Sequence, residues 1–105
     1  MIKLDKTLII NGDISCNEDI NIKGMYTITC GLSNRSTVTA SSIDKNSFTY
    51  CLQRNIFTID GKEIIPQEFN VYFRNEPEEI YPYLEMVTLL IVCGISIDIF
   101  KDIVF

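Results

Sequence analysis

The segment PYLEMVTLLIVCG, residues 82–94, decides the fold of this chain. Nearly every position between Leu84 and Val92 is apolar, which is typical of a helix that is buried on most of its sides. Pro82 suits the first turn of such a helix, and Gly94 suits its end or a kink. The uncharged stretch around this helix, residues 86–97, is shorter than the about twenty residues that a membrane span needs. We therefore predict a buried core helix and no membrane segment.

A polar turn precedes this helix at residues 75–79, Asn-Glu-Pro-Glu-Glu. Pro77 cannot continue a strand, because it has no N–H to give to a sheet. The carboxylates of the turn lie just upstream of a helix N-terminus, where negative charge is favoured. We expect the strand region of the chain to end at this turn.

The first seventy or so residues predict a succession of short antiparallel strands. Apolar and polar side chains alternate at residues 25–30 and 69–74, which is the period of a half-buried strand. Weaker patterns of the same kind cover residues 20–22, 37–40 and 48–52. The tail, residues 95–105, alternates as well and fits either a final strand or a continued helix.

Two dipeptides predict hairpin turns. Asn11-Gly12 separates residues 7–10 from 13–16, and Asp60-Gly61 separates residues 56–59 from 62–65. Both dipeptides are typical of type I′ turns, because Asn, Asp and Gly tolerate positive φ. The predicted fold class is therefore α+β, with short antiparallel strands packed on one buried C-terminal helix. The chain of 105 residues has room for one domain, residues 1–105.

Composition excludes several classes of function. The net charge is −5, which disfavours nucleic-acid binding, since that depends on neutralising phosphates. The chain has no histidine, so Ser-His-Asp and Cys-His catalysis and His-based zinc sites are absent from it. No nucleophile or phosphate-loop motif takes their place. We expect neither catalysis, nor a cofactor, nor a bound metal.

The four cysteines, Cys16, Cys30, Cys51 and Cys93, match no paired zinc-ligand spacing. No secretory signal is recognisable at the N-terminus. We therefore predict that the cysteines are reduced, mostly buried apolar residues of a cytoplasmic protein.

The most suggestive candidate surface is the stretch 67–85, where carboxylates alternate with aromatic residues. Tyrosines supply rigid contact area, and carboxylates attract a basic partner. The candidate contacts in this stretch are Glu76, Glu78, Glu79, Tyr81 and Tyr83, flanked by Glu68, Tyr72 and Glu85. A second group of acids, Asp5, Asp13, Glu18 and Asp19, is predicted to be ordinary solvated charge.

The ending LLIVCGISIDIF, residues 89–100, resembles the terminal hydrophobic helix of tubby-like and scramblase-like domains. In those domains a β-barrel encloses the helix. The resemblance implies strands wrapped around one buried C-terminal helix, and it carries no functional residue to this chain.

Three functions compete on these observations. The first is a stoichiometric inhibitor, an immunity or antitoxin-like protein of a bacterium or phage that covers the basic active site of a toxin, such as a nuclease domain. The second is a structural or assembly domain that forms a homodimer or larger homo-oligomer through a strand edge or the apolar tail. The third is a tubby-like β-domain that binds a lipid or small ligand in an apolar pocket. We favour the inhibitor, since it needs no catalytic residue.

Overall fold

The computed structural model describes residues 2–13 and 25–105. These ranges form a mixed α+β structure, so the predicted fold class is confirmed in its coarse form. The strands are β1 Ile2–Leu4, β2 Thr7–Asn11, β3 Tyr26–Cys30, β4 Val38–Ser41, β5 Ser47–Leu52, β6 Ile56–Phe57, β7 Glu63–Ile64 and β8 Gln67–Tyr72. The helices are α1, Tyr81–Val92, and a 3₁₀ helix, Ile97–Asp102.

Six strands form one sheet in the order β1-β2-β3-β4-β5-β8, and β6 pairs with β7 in a separate ribbon. Most pairs are antiparallel, but β2 runs parallel to β3 over five residue pairs. A single residue pair, Cys30 with Val38, joins β3 to β4, also in parallel. The prediction of antiparallel strands alone is therefore wrong at β3. A parallel pair needs a crossover of about a dozen residues or more, and the chain between Asn11 and Tyr26 is long enough for one.

The hairpin at the start of the chain does not turn at Asn11-Gly12. β1 and β2 form that hairpin, and its turn is Asp5 with Lys6, where Asp5 has a φ of 52°. β1 and β3 occupy both sides of β2, and the Gly12 N–H donates to the Cys30 carbonyl at 2.8 Å. Asn11-Gly12 thus extends the contact with β3. Residues 14–16, the predicted second strand, lie outside the described residues.

The turn at Asp60-Gly61 is confirmed, although its geometry differs from type I′. The Gly61 N–H donates to the Thr58 carbonyl at 2.9 Å, and Gly61 has a φ of 86°. Asp60 does not share the positive φ that a type I′ turn requires at both central residues. Five residues, 58–62, therefore join β6 to β7, with Gly61 in the left-handed region.

Helix α1 confirms the central prediction of the sequence. Its buried side chains recur every three or four residues, the spacing of one helix face: Leu84, Val87, Thr88, Ile91 and Val92. The remaining side chains from Tyr83 to Leu90 are half-buried. Gly94, with a φ of 99°, ends the helix. The N–H of Gly94 donates to the Ile91 carbonyl at 2.9 Å and that of Ile95 to the Leu90 carbonyl at 3.0 Å, which is a Schellman motif.

The helix and the sheet bury a core that contains one polar cluster. The Thr88 hydroxyl donates to the Leu84 carbonyl at 2.7 Å. That uses its only hydrogen, so the Tyr50 hydroxyl, 2.7 Å away, is the donor to the Thr88 oxygen. Cys30 Sγ lies 3.7 Å from the same oxygen. All three residues are fully buried, and each polar atom has a partner.

The tail combines the two alternatives that the sequence left open. Its first part is the 3₁₀ helix, whose Phe100 is buried and stacks on Phe69 with ring centroids 5.2 Å apart. Its end runs beside β8, where Val104 forms a parallel bridge with Tyr72. The Phe105 N–H donates to the Tyr72 carbonyl at 2.9 Å. The tail therefore covers both a face and an edge of the sheet.

The sheet does not close into a barrel around α1. Within residues 2–13 and 25–105, β1 and β8 are its two edges, and α1 packs on one face across β2, β3 and β4. In the described residues the strands therefore lie against α1 and do not wrap around it, contrary to what the tubby-like resemblance had implied. The resembling segment is also not one helix, because Gly94 separates α1 from the 3₁₀ helix. None of the helices in the described ranges is long and apolar enough to cross a bilayer.

Candidate functional site

The acidic segment, residues 75–85, connects the end of β8 to the first turns of α1. Two buried side chains bracket its loop, Phe73 on one side and Ile80 on the other. In the loop between them, Glu76, Glu78 and Glu79 are exposed. The predicted acidic contacts therefore lie on the surface of a loop that is anchored at both ends.

Tyr83 fixes the helical part of the acidic segment to the core. Its ring packs between Phe73, at a centroid distance of 5.3 Å, and Phe105, at 6.3 Å. The side chain is half-buried, so only part of it can contact a partner. With Pro77, Glu78, Glu79 and Pro82 it lines a shallow depression of about 510 Å³.

Tyr81 links the acidic segment to the loop after β2. Its hydroxyl donates to Asp13 Oδ2 at 2.9 Å, and the Leu32 N–H donates to the same oxygen at 2.8 Å. The hydrogen bond to Asp13 raises the pKa of the Tyr81 phenol, because it favours the protonated form. Asp13 is exposed, but it is not the ordinary solvated charge that was predicted. It joins the loop after β2 to the loop after β3 and to the start of α1, and no pattern in the sequence indicates this role.

Close packing holds the Asp13 carboxylate in place. A Cβ added at Gly31 would lie 2.5 Å from Asp13 Oδ1 and 2.5 Å from Ser36 Oγ. Only glycine leaves room for both oxygens. Glu18 and Asp19, the other acids predicted near this loop, lie outside the described residues, and Asp5 lies in the β1–β2 turn.

The structure does not bring all eight candidate residues together. Glu76, Glu78, Glu79, Tyr81 and Tyr83 are close neighbours around the start of α1. Tyr72 ends β8 and is exposed, with a backbone bridge to Val104, and Glu85 is half-buried on the second turn of α1.

Glu68 lies apart from this group. It is four residues before Tyr72 on the same strand, or about 13 Å at a rise of roughly 3.3 Å per residue. Its neighbours across a shallow groove are Asp98 and Lys101 of the 3₁₀ helix. Glu68 therefore belongs to a different surface.

The acidic segment concentrates the net charge of the protein. Its four carboxylates, Glu76, Glu78, Glu79 and Glu85, are accompanied by no Lys or Arg between residues 75 and 85. They account for four of the five net negative charges of the chain. Among the described residues no cation forms a salt bridge with them. The segment thus presents three exposed carboxylates on its loop and a fourth, Glu85, on α1, none of them in a salt bridge with a described cation.

The cysteines differ from the prediction at one position. Cys30 and Cys51 are buried and free, as predicted, and burial raises the pKa of the Cys30 thiol to about 12. Such a thiol stays protonated and is a poor nucleophile at neutral pH. Cys93 is exposed rather than buried, because α1 ends beside it. Cys16 lies outside the described residues.

In the described ranges, no group of three or more Cys, Asp or Glu side chains converges as a metal site.

Comparison with known proteins does not assign the chain to a family. No protein-family model, curated protein or solved structure matches the chain.

Proposed function

We propose that this protein is a stoichiometric inhibitor that binds a basic protein, such as the active site of a toxin nuclease, through its acidic segment. The observation that carries the proposal is the group of exposed carboxylates, Glu76, Glu78 and Glu79, on a loop held by Phe73 and Ile80. Nuclease active sites are positively charged because they bind phosphates, so fixed carboxylates can occupy them in place of phosphates.

Rigidity supports binding by this segment. A loop that is already ordered loses less conformational entropy when it binds than a mobile loop does. Tyr83 packs against core rings, and Tyr81 donates to Asp13, so both aromatic rings are held in place before a partner arrives. Ordered tyrosines are frequent among residues that dominate binding energy.

The charge pattern supports fast association. Uncompensated carboxylates on one surface raise the rate at which a basic partner is encountered, and salt screens this attraction. An inhibitor that covers the active site of its target also needs no catalytic group of its own. The free thiols agree with action in a reducing compartment such as the cytoplasm, which we include in the proposal.

The test compares two triple variants that lose the same charge. The first is Glu76→Gln, Glu78→Gln and Glu79→Gln. The control is Asp5→Asn, Asp44→Asn and Asp102→Asn, three exposed positions outside the acidic segment. The tagged wild-type chain is expressed in its source cells, proteins that co-purify are identified, and their association rates are measured at low and high salt.

We expect the Glu variant to associate with a basic partner about tenfold or more slowly than wild type at low salt. The control is expected to stay near the wild-type rate, since its changes lie away from the contact. Equal slowing by both variants would mean that only overall charge matters and would refute the segment as the site. A partner that is neutral or acidic would refute the proposed function.

A further inference from the structure

The sheet edge formed by β8 is only partly covered by the tail. On its other side β8 pairs with β5, and just beyond the strand the Phe73 N–H donates to the Asn46 carbonyl at 2.9 Å. The backbone groups of successive residues alternate in direction along an antiparallel strand, so those of Glu68, Asn70 and Tyr72 point away from β5. The Tyr72 carbonyl accepts from the tail, which agrees with this direction.

The N–H and C=O groups of Glu68 and Asn70 have no backbone partner in the part of the chain that the structure describes. The tail bonds further along the edge, at the Tyr72 carbonyl and the Arg74 N–H. Within residues 2–13 and 25–105, no other strand lies on this side of β8. An unpaired strand edge is a template for pairing with another extended chain.

A groove of about 300 Å³ lies beside this open part of the edge. One wall is residues 67–70 of β8, and the other is the 3₁₀ helix, which contributes Ile97, Asp98 and Lys101. The half-buried ring of Phe69 stacks on Phe100 of that helix, with the centroids 5.2 Å apart. This stacking holds the helix against the strand, so the groove has two ordered walls before a ligand binds.

The tail shows that this edge accepts an extended chain. Val104 forms a parallel bridge with Tyr72, and the Phe105 N–H donates to the Tyr72 carbonyl at 2.9 Å. The Arg74 N–H donates to the Phe105 carbonyl at 2.8 Å. All these bonds join backbone groups, and the same kind of bond is open at residues 68–70.

The side chains beside the edge favour a peptide in which apolar and basic residues alternate. Successive side chains of a strand point to opposite faces, and paired residues of neighbouring strands share a face. A peptide residue opposite Phe69 meets two half-buried apolar side chains, Phe69 and Ile97. The next peptide residue lies on the other face, opposite the exposed carboxylate of Glu68, where a Lys or Arg is favoured. Asp98 adds a second carboxylate to the groove, against one cation.

We propose that β8 binds an extended peptide segment of another protein, which adds to the sheet as a further strand beside residues 68–70. The backbone groups of the edge supply the hydrogen bonds, and the alternating contacts select a segment with a Lys or Arg next to an apolar residue. A second copy of β8 does not fit, because this strand has a carboxylate and no cation. The proposal goes beyond the inhibitor function and does not depend on it.

The test measures binding of a fluorescent peptide of alternating Val and Lys residues by anisotropy. The key variant is Asn70→Pro, which removes the outward N–H of residue 70 and leaves the pairing with β5 intact. The matched control is Asn70→Val, which keeps that N–H and equally loses the side-chain bond to Thr49. Circular dichroism checks that each variant is folded.

We expect Asn70→Val to bind the Val-Lys peptide as wild type does. Asn70→Pro should bind it about tenfold or more weakly, because the edge loses a backbone donor and the proline ring obstructs the incoming strand. A peptide of alternating Val and Glu should bind wild type more weakly than the Val-Lys peptide does. Glu68→Lys should remove this preference.

The variant with Glu76, Glu78 and Glu79 changed to Gln separates this site from the acidic segment, and it should bind the Val-Lys peptide as wild type does. Loss of binding in that variant would overturn the proposal. So would equal binding by Asn70→Pro and wild type, or no binding by wild type at millimolar peptide. A wild-type protein that dimerises, with Asn70→Pro monomeric, would assign the edge to a second copy and refute a peptide partner.

Discussion

At the scale of single residues, the Thr88 hydroxyl gives the core a defined polar contact between helix and sheet. It accepts from Tyr50 on β5 and lies against Cys30 on β3, while its own hydrogen satisfies the Leu84 carbonyl. A buried hydroxyl group without a partner is costly, so these groups stabilise the fold only in this arrangement. The hydrogen bonds of Thr88 therefore restrict the position of α1 over the sheet more than apolar contacts alone would.

Thr88→Val tests this contact, because valine has the shape of threonine without the hydroxyl group. We expect the free energy of unfolding to fall by about 1–3 kcal/mol, since the buried Tyr50 hydroxyl loses its acceptor. The measurement is urea denaturation followed by circular dichroism.

The control is a double-mutant cycle that combines Thr88→Val with Tyr50→Phe. In the double variant neither hydroxyl group is left unpaired, so its loss of stability should be smaller than the sum of the two single losses. Strictly additive losses would contradict a direct bond between the two side chains.

At the scale of elements, the end of α1 depends on one backbone conformation. Gly94 has a φ of 99°, and an added Cβ there would meet no atom within 4 Å. Any loss of stability at this position therefore comes from backbone strain and not from a clash. Gly31 is the opposite case, because an added Cβ would press on the Asp13 and Ser36 oxygens.

Gly94→Ala is expected to lower the free energy of unfolding by about 1–2 kcal/mol, the cost of a left-handed conformation for an ordinary residue. Gly94→Asn should lose less, because asparagine adopts this conformation more readily. Thermal or urea denaturation ranks the three proteins. Equal stability of the alanine variant and wild type would show that the helix end relaxes without cost.

Sequence patterns predicted the elements better than their pairing. The apolar run from Leu84 to Val92 predicts α1, and Gly94 predicts an end or a kink, because both are local properties. The parallel pairing of β2 with β3 depends on the route of the chain between them, and no local pattern encodes a route. For the same reason Asn11-Gly12 has the composition of a turn and leads into one at Gly12 and Asp13, but β2 pairs with β1 and β3 and not with the segment that follows this turn.

The candidate site was predictable in part. The run Glu76, Glu78 and Glu79 is visible in the sequence, because charge density is a local property. Its attachment through Tyr81 to Asp13 is not visible, since these residues are 68 positions apart.

At the scale of the whole molecule, the inhibitor proposal predicts that one copy of this chain covers one copy of its basic partner.

Light scattering of the purified complex checks this stoichiometry. We expect a one-to-one complex, which forms more slowly at high salt because salt screens the attraction between the acidic segment and the partner. A complex with a different ratio of the two chains would contradict cover of one active site by one inhibitor.

The structure of the two sheet edges, β1 and β8, bears on how the protein avoids aggregation. An open sheet exposes unpaired N–H and C=O groups that can recruit strands of other chains into fibrils. At one edge, β1 has only three residues, and its central Lys3 is exposed, so a recruited strand would find little to pair with. At the other edge, the bridge of Val104 to Tyr72 occupies part of β8. Shortening the tail before Val104 would therefore uncover backbone at which amyloid-like growth can begin.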